Sequence, residues 1–233
     1  MNPTILAITG LANAGKDTVA AILTHHRHAQ HMAFADGVYQ EVAKAYHCCA
    51  GELMLRDTKE TPQAWLALSR CADPHFVQAM QLHYAAGLRD GGIVHERLDL
   101  RAPRSPRTIL QWWGTEYRRK QQADYWVAAT AQRIAASSAP AIVISDLRMP
   151  NEAALVRQLG GHIWRITRPG REVATNHASS TSGQEFAPDL VLHNTHNIEH
   201  LQGMVLSHWD ELQAAHRKEF TPCKPSSSPT PQG

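Results

Sequence analysis

The residues best suited to chemistry lie near the N-terminus, where a short apolar run breaks into a turn bounded by Gly10 and Gly15 and ending in Lys16. The run at residues 5–8 predicts a buried strand, and the apolar spacing after the turn predicts a helix over about 16–28. Backbone N–H groups at a helix N-terminus bind anions, and glycines allow the loop to curl around one. With the lysine ammonium added, the segment predicts a phosphate-binding loop. An ordinary strand-turn-helix corner is the alternative.

The residues after the lysine have the chemistry of a magnesium site. A hydroxyl residue commonly follows the lysine of such loops and binds Mg²⁺, but here Asp17 stands in that place and Thr18 follows it. A carboxylate oxygen is a hard ligand that Mg²⁺ accepts directly or through water. The sequence therefore predicts Mg²⁺ at this position and leaves open which of the two residues binds it.

Two more carboxylates follow predicted strands. Asp36 comes just after the apolar residues 31–34, and Asp146 comes after the apolar run at 141–145. Ligands of α/β proteins bind at the carboxyl ends of the strands. Asp146 is placed like the acidic residue that holds Mg²⁺ in phosphate-loop enzymes. Asp36 either caps the next helix or faces the bound ligand, and both interpretations are open.

Basic side chains form a third group of candidates. Arg56 and Lys59 belong to a charged cluster on a predicted loop at 56–60, for which a solvated turn is the alternative. Forked donors for a second phosphate follow later in the chain, at Arg107, Gln111, Arg118 and Arg119. Taken singly, each is more typical of surface charge. The segment at 87–107 is rich in Gly, Pro and Arg and is predicted to be a basic loop.

Apolar segments alternate with helical patterns along the chain, at residues 5–8, 31–34, 141–145, 162–167 and 189–193. This alternation predicts a three-layer α/β domain with helices on both faces of a mostly parallel five-stranded sheet. We expect one domain over 1–218, with a helical insert at about 37–137. The Pro- and Ser-rich tail at 219–233 has no apolar face and is predicted to be disordered.

The composition argues against several classes of protein. A net charge of +2 gives no global attraction for nucleic acid or an anionic membrane. The apolar runs are shorter than the ~20 residues that span a bilayer. The cysteines have neither metal-ligand nor disulfide spacing and predict reduced thiols in a cytoplasmic protein; they are Cys48, Cys49, Cys71 and Cys223. Histidines cluster around the first predicted helix without a partner that completes a metal site; they are His25, His26, His28 and His31.

Taken together, the motifs resemble those of the phage-type deoxynucleoside monophosphate kinases, a branch of the phosphate-loop nucleotide kinases. The likeness runs from about Thr4 to Leu201 and excludes the tail. Each motif alone is weakly specific, whereas their order and spacing together are specific. In chain order they are Gly10 to Thr18; Phe34-Ala-Asp36; Arg56 with Lys59-Glu60; Arg107, Leu110-Gln111, Gly114-Thr-Glu116, Arg119 and Trp126; Asp146-Leu-Arg148-Met-Pro-Asn151-Glu152; Ile166 with Arg168-Pro169; His177-Ala-Ser179; and Asp189 with Asn194.

The resemblance implies transfer of the γ-phosphoryl group of ATP to a deoxynucleoside 5′-monophosphate, with ATP and Mg²⁺ as cofactors, in the host cytoplasm if the protein is phage-encoded. It implies catalytic roles for Lys16, Asp17 and Arg148, and metal binding by Asp17, Thr18 and Asp146. The implied ATP-binding residues are Gly10, Asn13, Ala14, Gly15, Lys16, Asp17, Thr18 and Arg168. The implied monophosphate-binding residues are Asp36, Arg56, Lys59, Arg107, Gln111, Thr115, Glu116, Arg119, Trp126, Arg148 and Glu152.

Several points stay open at this level. Trp126 either stacks on the base or packs beneath the pocket. Family members often have Glu after the His-Ala-Ser motif, where this chain has Ser180. The base, the use of ribonucleotides and the formation of a homodimer are not fixed by spacing. Small-molecule nucleotides are the expected partners, and nucleic acid is not. The rival hypotheses are a kinase acting on a modified base in DNA or another small phosphorylated acceptor, and a non-catalytic nucleotide-binding module.

Overall fold

A parallel sheet with helices on both faces is the framework of the protein. The computed structural model describes residues 3–90, 98–170 and 186–219, and at 86–90 and 217–219 it describes the backbone alone. The sheet has five strands in the order β2-β3-β1-β4-β5, and every strand pairing in it is parallel. The strands are β1 (Thr4–Thr9), β2 (Gln30–Met32), β3 (Ala141–Ile144), β4 (His162–Thr167) and β5 (Leu190–His193). The predicted three-layer α/β fold with a five-stranded sheet is confirmed.

Strand β1 lies in the middle of the sheet because it is apolar on both faces. All of its residues are buried. It pairs with β3 on one side, where Ile5 lies opposite Ile142, and with β4 on the other, where Ala7 lies opposite Ile163. Strands of parallel sheets that are covered on both faces need such continuous apolar runs. The carboxyl end of β1 therefore places the predicted phosphate loop between the ends of β3 and β4.

Helices cover the sheet and fill the long connection between β2 and β3. They are α1 (Lys16–Arg27), α2 (Asp36–Tyr46), α3 (Ala50–Met54), α4 (Pro74–Asp90), α5 (Pro106–Gln111), α6 (Tyr125–Ala135), α7 (Pro150–Gln158) and α8 (Ile198–Glu219). The connection also contains two short 3-10 helices, Ala64–Leu66 and Leu68–Arg70, and a π-helix, Trp112–Arg119. Within the described parts of the chain, each helix is too short or too polar to cross a bilayer.

Three apolar clusters hold the layers together. The first joins one face of the sheet to α1 and α8 and includes Leu6, Ile8, Leu23, Val205 and Trp209. The second joins the other face to α6 and α7 and includes Ile5, Ala7, Ile142, Ile134 and Val156. Alternate residues of β1 thus enter different clusters, as the two-residue period of a strand requires. The third cluster lies within the β2–β3 connection and includes Val42, Phe76, Ile109, Trp113 and Tyr117.

The connection agrees with the sequence prediction in one place and differs from it in another. The predicted loop at 56–60 forms turns, and the next α-helix begins only at Pro74. Proline at the first turn of a helix and polar turn residues before it explain this break. The predicted basic loop at 87–107 begins inside α4 and falls partly outside the described residues. The domain at 1–218 with its insert stays a prediction, and the tail at 220–233 lies outside the described residues.

Candidate active site

The loop between β1 and α1 has the backbone conformation of an anion cradle. Gly10 has φ +148° and Gly15 has φ +115°, and Asn13 between them is left-handed at φ 61°. A Cβ atom at Gly10 would lie 2.3 Å from the Ile166 carbonyl oxygen of β4. Only glycine fits that position, since both the positive φ and the approach to β4 exclude a side chain. The loop ends at the N-terminus of α1, where backbone N–H groups and the helix dipole favour an anion.

Lys16 is held over this loop by its own backbone. The Nζ atom donates hydrogen bonds to the Gly10 and Leu11 carbonyl oxygens, both at 2.9 Å. Burial lowers the pKa of the Lys16 ammonium below its ordinary value, and the charge of Arg148 adds to that effect, whereas Asp17 and Asp146 oppose it. The ends of β1 and β3 and the start of α1 therefore bring these four charged groups together. A phosphate oxygen can replace the carbonyl oxygens as the acceptor of the ammonium.

Asp17, Thr18 and Asp146 supply oxygen donors of the kind that Mg²⁺ prefers. The Asp146 carboxylate accepts hydrogen bonds from the Phe34 backbone N–H at 2.8 Å and from the Ala35 N–H at 3.0 Å. Burial raises the pKa of the Asp146 carboxyl to about 6, although the bond from Ala35 opposes that shift. Mg²⁺ is commonly held by one or two carboxylates together with substrate phosphates. The donor set at the loop fits that pattern.

The histidines around α1 show no metal-binding arrangement. An open groove of about 670 Å³ runs along α1 and is lined by Asp17, Ala21, Thr24, His25, His28 and His31. Among the described residues, no group of three or more His, Cys, Asp or Glu side chains could hold a metal ion. The free thiols in the described part of the chain are Cys48, Cys49 and Cys71, and Cys223 lies outside it.

The corner between β2 and α2 is closed by carboxylates of the protein itself. Asp36 is the first residue of α2, and Ala35 is the N-cap without a side-chain bond. The Asp36 carboxylate accepts from the Ala33 N–H at 2.7 Å and from Arg133 Nη1 at 2.8 Å. Arg133 Nη2 also donates to the Ala33 carbonyl oxygen at 2.6 Å. Asp36 therefore neither caps the helix nor lies free at the strand end, and its oxygen fixes the corner.

Arg119 and Glu152 form an ion pair near the carboxyl ends of the strands. Arg119 Nη2 donates to Glu152 Oε1 at 2.7 Å, and the Glu152 side chain is only 2% exposed. The other carboxylate oxygen accepts from the backbone N–H groups of Arg148 and Met149 at 2.9 and 3.0 Å. Glu152 thus joins the π-helix to the start of α7. The guanidinium of Arg119 is partly exposed and is aimed by a carboxylate that cannot move.

The predicted basic cluster at 56–60 contacts both the phosphate loop and α5. Arg56 Nη2 lies 3.7 Å from Asp17 Oδ2, and both side chains are largely exposed. Lys59 Nζ donates to the Tyr39 hydroxyl at 3.1 Å. The Arg107 guanidinium pairs with Glu60, and the Arg107 N–H donates to the Lys59 carbonyl oxygen. Lys59 and Arg107 thus tie the cluster to α2 and α5, whereas the exposed Arg56–Asp17 pair is weak.

The remaining predicted residues divide into exposed and packed groups. Gln111 and Thr115 are exposed four residues apart, and Arg168 is exposed directly after β4. Glu116 Oε2 pairs with Lys120 at 2.8 Å and lies 3.5 Å from His83 on α4. Trp126 is buried, donates from Nε1 to the Gly114 carbonyl oxygen at 3.0 Å and packs against Gly37, which favours packing over stacking on a base. His177, Ser179 and Ser180 lie outside the described residues.

Two residues at the site were not among the predicted site residues. Asn194 follows β5, and its Nδ2 donates to the Ala14 carbonyl oxygen at 2.9 Å, so it supports the phosphate loop. Asn194 belongs to the last motif of the resemblance, which was the available signal. Arg133 lies on α6 and closes the corner between β2 and α2. A single arginine in a helical sequence gives no signal for such a role.

Comparison with known proteins gives limited similarity. No protein-family model matches the chain. A segment of 67 residues is 36% identical to a protein of Acanthamoeba polyphaga mimivirus described as "Putative deoxynucleotide monophosphate kinase", and it covers 28% of this chain and 35% of that protein. The structure of TT1252 from Thermus thermophilus aligns with a TM-score of 0.44 at 14% identity over 91% of this chain and 99% of that one. A gluconokinase from Sinorhizobium meliloti 1021 aligns with a TM-score of 0.43 at 12% identity over 94% and 99%. At these values no activity passes from either structure to this chain.

Proposed function

We propose that this protein transfers the γ-phosphoryl group of ATP to a deoxynucleoside 5′-monophosphate and releases the diphosphate and ADP. The proposal rests on one observation: the short segment after β3 joins the phosphate loop to the Arg119–Glu152 pair. Asp146 and Arg148 follow β3, which pairs with β1, and the Arg148 backbone N–H donates to Glu152 at 2.9 Å. The description of the mimivirus protein, which a 67-residue segment of this chain resembles, supports the same acceptor class.

The donor half of the site is the loop at the end of β1. The loop N–H groups and Lys16 bind the β- and γ-phosphates, and Asn194 keeps the loop in place through Ala14. Asp17, Thr18 and Asp146 would hold Mg²⁺, which supplies positive charge to the phosphate oxygens when bound. Arg168, at the exposed end of β4, is available to the nucleotide.

The acceptor half lies on the insert and the start of α7. Arg119 offers its exposed guanidinium edge to the monophosphate, and Glu152 orients it from the buried side. Arg107, Gln111 and Thr115 add donors along one exposed stretch of α5 and the π-helix. Arg148 is exposed and follows Asp146, so we infer that its guanidinium contacts the phosphoryl group during transfer. Arginine suits this work because its planar donors fit phosphate oxygens in pairs.

The chemistry needs placement and charge more than covalent help. An oxygen of the acceptor phosphate attacks the γ-phosphorus of ATP in line, and the bond to the β,γ-bridging oxygen breaks, so ADP leaves with that electron pair. Lys16 and Arg148 stabilise the negative charge that spreads over the transferred group. Arg119 and Arg107 hold the attacking phosphate close to it, which removes the entropy cost of encounter.

The test is a coupled ADP-release assay across the deoxy- and ribonucleoside monophosphates, with single- and double-stranded DNA and phosphorylated sugars as further acceptors. We expect turnover with at least one deoxynucleoside monophosphate, and a loss of about 10²–10³-fold in kcat for Lys16→Ala. Lys44→Ala is the matched control, because Lys44 is exposed in the last turn of α2. Turnover with DNA or a sugar phosphate alone would contradict the proposal, and so would ATP binding without transfer to any acceptor.

A further inference from the structure

The Glu41 carboxylate on α2 accepts hydrogen bonds from three side chains of two other helices. Its Oε2 atom accepts from Trp113 Nε1 at 2.8 Å and from Arg118 Nε at 2.7 Å. Its Oε1 atom accepts from the Tyr125 hydroxyl at 2.6 Å. The first two donors belong to the π-helix, and the third is the first residue of α6. One half-buried carboxylate therefore ties the π-helix and α6 to α2.

The two adjacent arginines of the π-helix have different partners. The Arg118 guanidinium pairs with Glu41 and lies over aromatic rings, 4.6 Å from the centre of Tyr117 and 5.0 Å from that of Tyr125. Its Nε donor and its flat face are thus engaged within the insert. Arg119 points to Glu152 on the other side. The sequence offered both arginines as phosphate ligands, but the contacts leave that role to Arg119.

A π-helix needs such support because its backbone geometry is rare and is usually retained where a side chain must be aimed. The buried contacts of Trp113 with Phe76, at 4.5 Å between ring centres, fix one side of this helix. Glu41 fixes the polar side. Loss of Glu41 would free three donors at once and remove the polar support of this helix, so that Arg119 could shift away from Glu152.

We propose that Glu41 is a positioning residue for the acceptor: it sets the register of the π-helix and thereby aims Arg119 and Thr115 at the monophosphate. This inference rests on the proposed function. Both carboxylate oxygens of Glu41 accept from protein donors, so its role is to position other residues and not to bind a nucleotide. The ATP site is carried by the ends of β1, β3, β4 and β5, and its loop is held by Asn194 and not by Glu41. Loss of Glu41 should therefore weaken the acceptor and leave ATP unaffected.

The experiment compares Glu41→Gln and Glu41→Ala with Asp210→Asn. Asp210 pairs with Arg27 across α1 and α8 at 2.7 Å, so its variant removes an ion pair at a site remote from the insert. We expect the KM for the accepted monophosphate to rise about tenfold in Glu41→Ala, as for one lost charge-assisted hydrogen bond, with the KM for ATP within about twofold of wild type. Glu41→Gln keeps the size of the side chain, and its KM for the monophosphate should lie between those of wild type and Glu41→Ala. The Asp210 variant should leave both constants unchanged.

Hydrogen exchange supplies a readout that does not depend on turnover. In Glu41→Ala we expect faster exchange of the amides at 112–119, while those of β1 and β3 keep their wild-type protection. Equal rises in both KM values, or no change in either together with unchanged exchange at 112–119, would overturn the inference while leaving the kinase proposal intact. If the wild-type protein phosphorylates no monophosphate, the proposed function fails and the acceptor role of Glu41 fails with it.

Discussion

Asn194 reaches across 180 residues of sequence to Ala14: its Nδ2 donates to the Ala14 carbonyl oxygen at 2.9 Å. The same amide group lies 2.9 Å from where a Cβ atom would stand at Gly15. The end of β5 thus holds the phosphate loop in its anion-binding conformation. The loop is therefore ready before a nucleotide arrives, which reduces the ordering cost of binding.

We expect Asn194→Ala to raise the KM for ATP about tenfold, because one loop carbonyl loses its donor and the loop must order when ATP binds. Steady-state kinetics with ATP varied at a saturating acceptor concentration measures this. Thr195→Ala is the control, since Thr195 contacts only its neighbour His196 among the described side-chain bonds. An unchanged KM for ATP would show that the loop holds its shape without β5.

Gly10→Ala should destabilise the protein by about 1–3 kcal/mol, because a Cβ atom there meets the Ile166 carbonyl oxygen at 2.3 Å in a backbone conformation that L-residues avoid. Gly203→Ala is the matched control. Gly203 lies inside α8 with no atom within 4 Å of a Cβ, so alanine should stabilise the helix by roughly 0.5–1 kcal/mol. Urea unfolding measures the change in the free energy of unfolding for both variants. Equal changes at the two glycines would show that Gly10 is not constrained by its conformation or by β4.

Asp146 predicts opposite pH trends for stability and activity. Its folded pKa of about 6 lies above the ordinary 3.8, so the folded protein binds this proton more tightly than the unfolded chain. The free energy of unfolding should therefore fall as pH rises from about 3.8 to about 6. The kcat/KM for ATP should instead rise over the upper part of this range, because the ionised carboxylate is the form that binds Mg²⁺.

Asp146→Asn tests both trends. The asparagine has no charge to titrate, so both pH slopes should flatten, although its NH₂ group opposes one backbone N–H and lowers stability at all pH values. Denaturant titrations and initial rates between pH 4 and pH 7 measure the two trends. If the variant retained the wild-type limb near pH 6 in kcat/KM, a different group would carry it.

Arg119→Ala should raise the KM for the monophosphate at least tenfold and also destabilise the protein by about 1–3 kcal/mol, since the buried Glu152 loses its charged partner. The double variant Arg119→Met with Glu152→Gln removes both charges. It should recover part of the lost stability and none of the acceptor affinity. Thermal unfolding and kinetics on the same samples separate the two effects. Recovery of affinity in the double variant would mean that Arg119 does not contact the acceptor.

The strands and the phosphate loop were predictable because each depends on local sequence. Local sequence predicts β1 and β3 from their apolar residues, and it predicts the phosphate loop from the paired glycines before Lys16. The order of the five strands was not predicted, because alternation alone leaves the paths of the crossover connections open. Asp146 was predictable as a strand-end residue.

The acceptor side was less predictable because its geometry depends on contacts between distant residues. The different partners of Arg118 and Arg119 depend on a π-helix and on Glu41, 77 residues before Arg118. Asp36 had two local interpretations, and neither of them predicts its pairing with Arg133, a residue without any motif. Trp126 was resolved by the absence of a side chain at Gly37, which lets its ring approach.

Transfer to a nucleoside monophosphate and hydrolysis of ATP differ in where the γ-phosphate ends. ATP labelled with phosphorus-32 at the γ-position, supplied with each deoxynucleoside monophosphate, distinguishes them once the products are separated. We expect label in the β-phosphate of a deoxynucleoside diphosphate, loss of that product in Lys16→Ala, and its persistence in Lys44→Ala. Label found only in inorganic phosphate, with every monophosphate recovered unchanged, would contradict it.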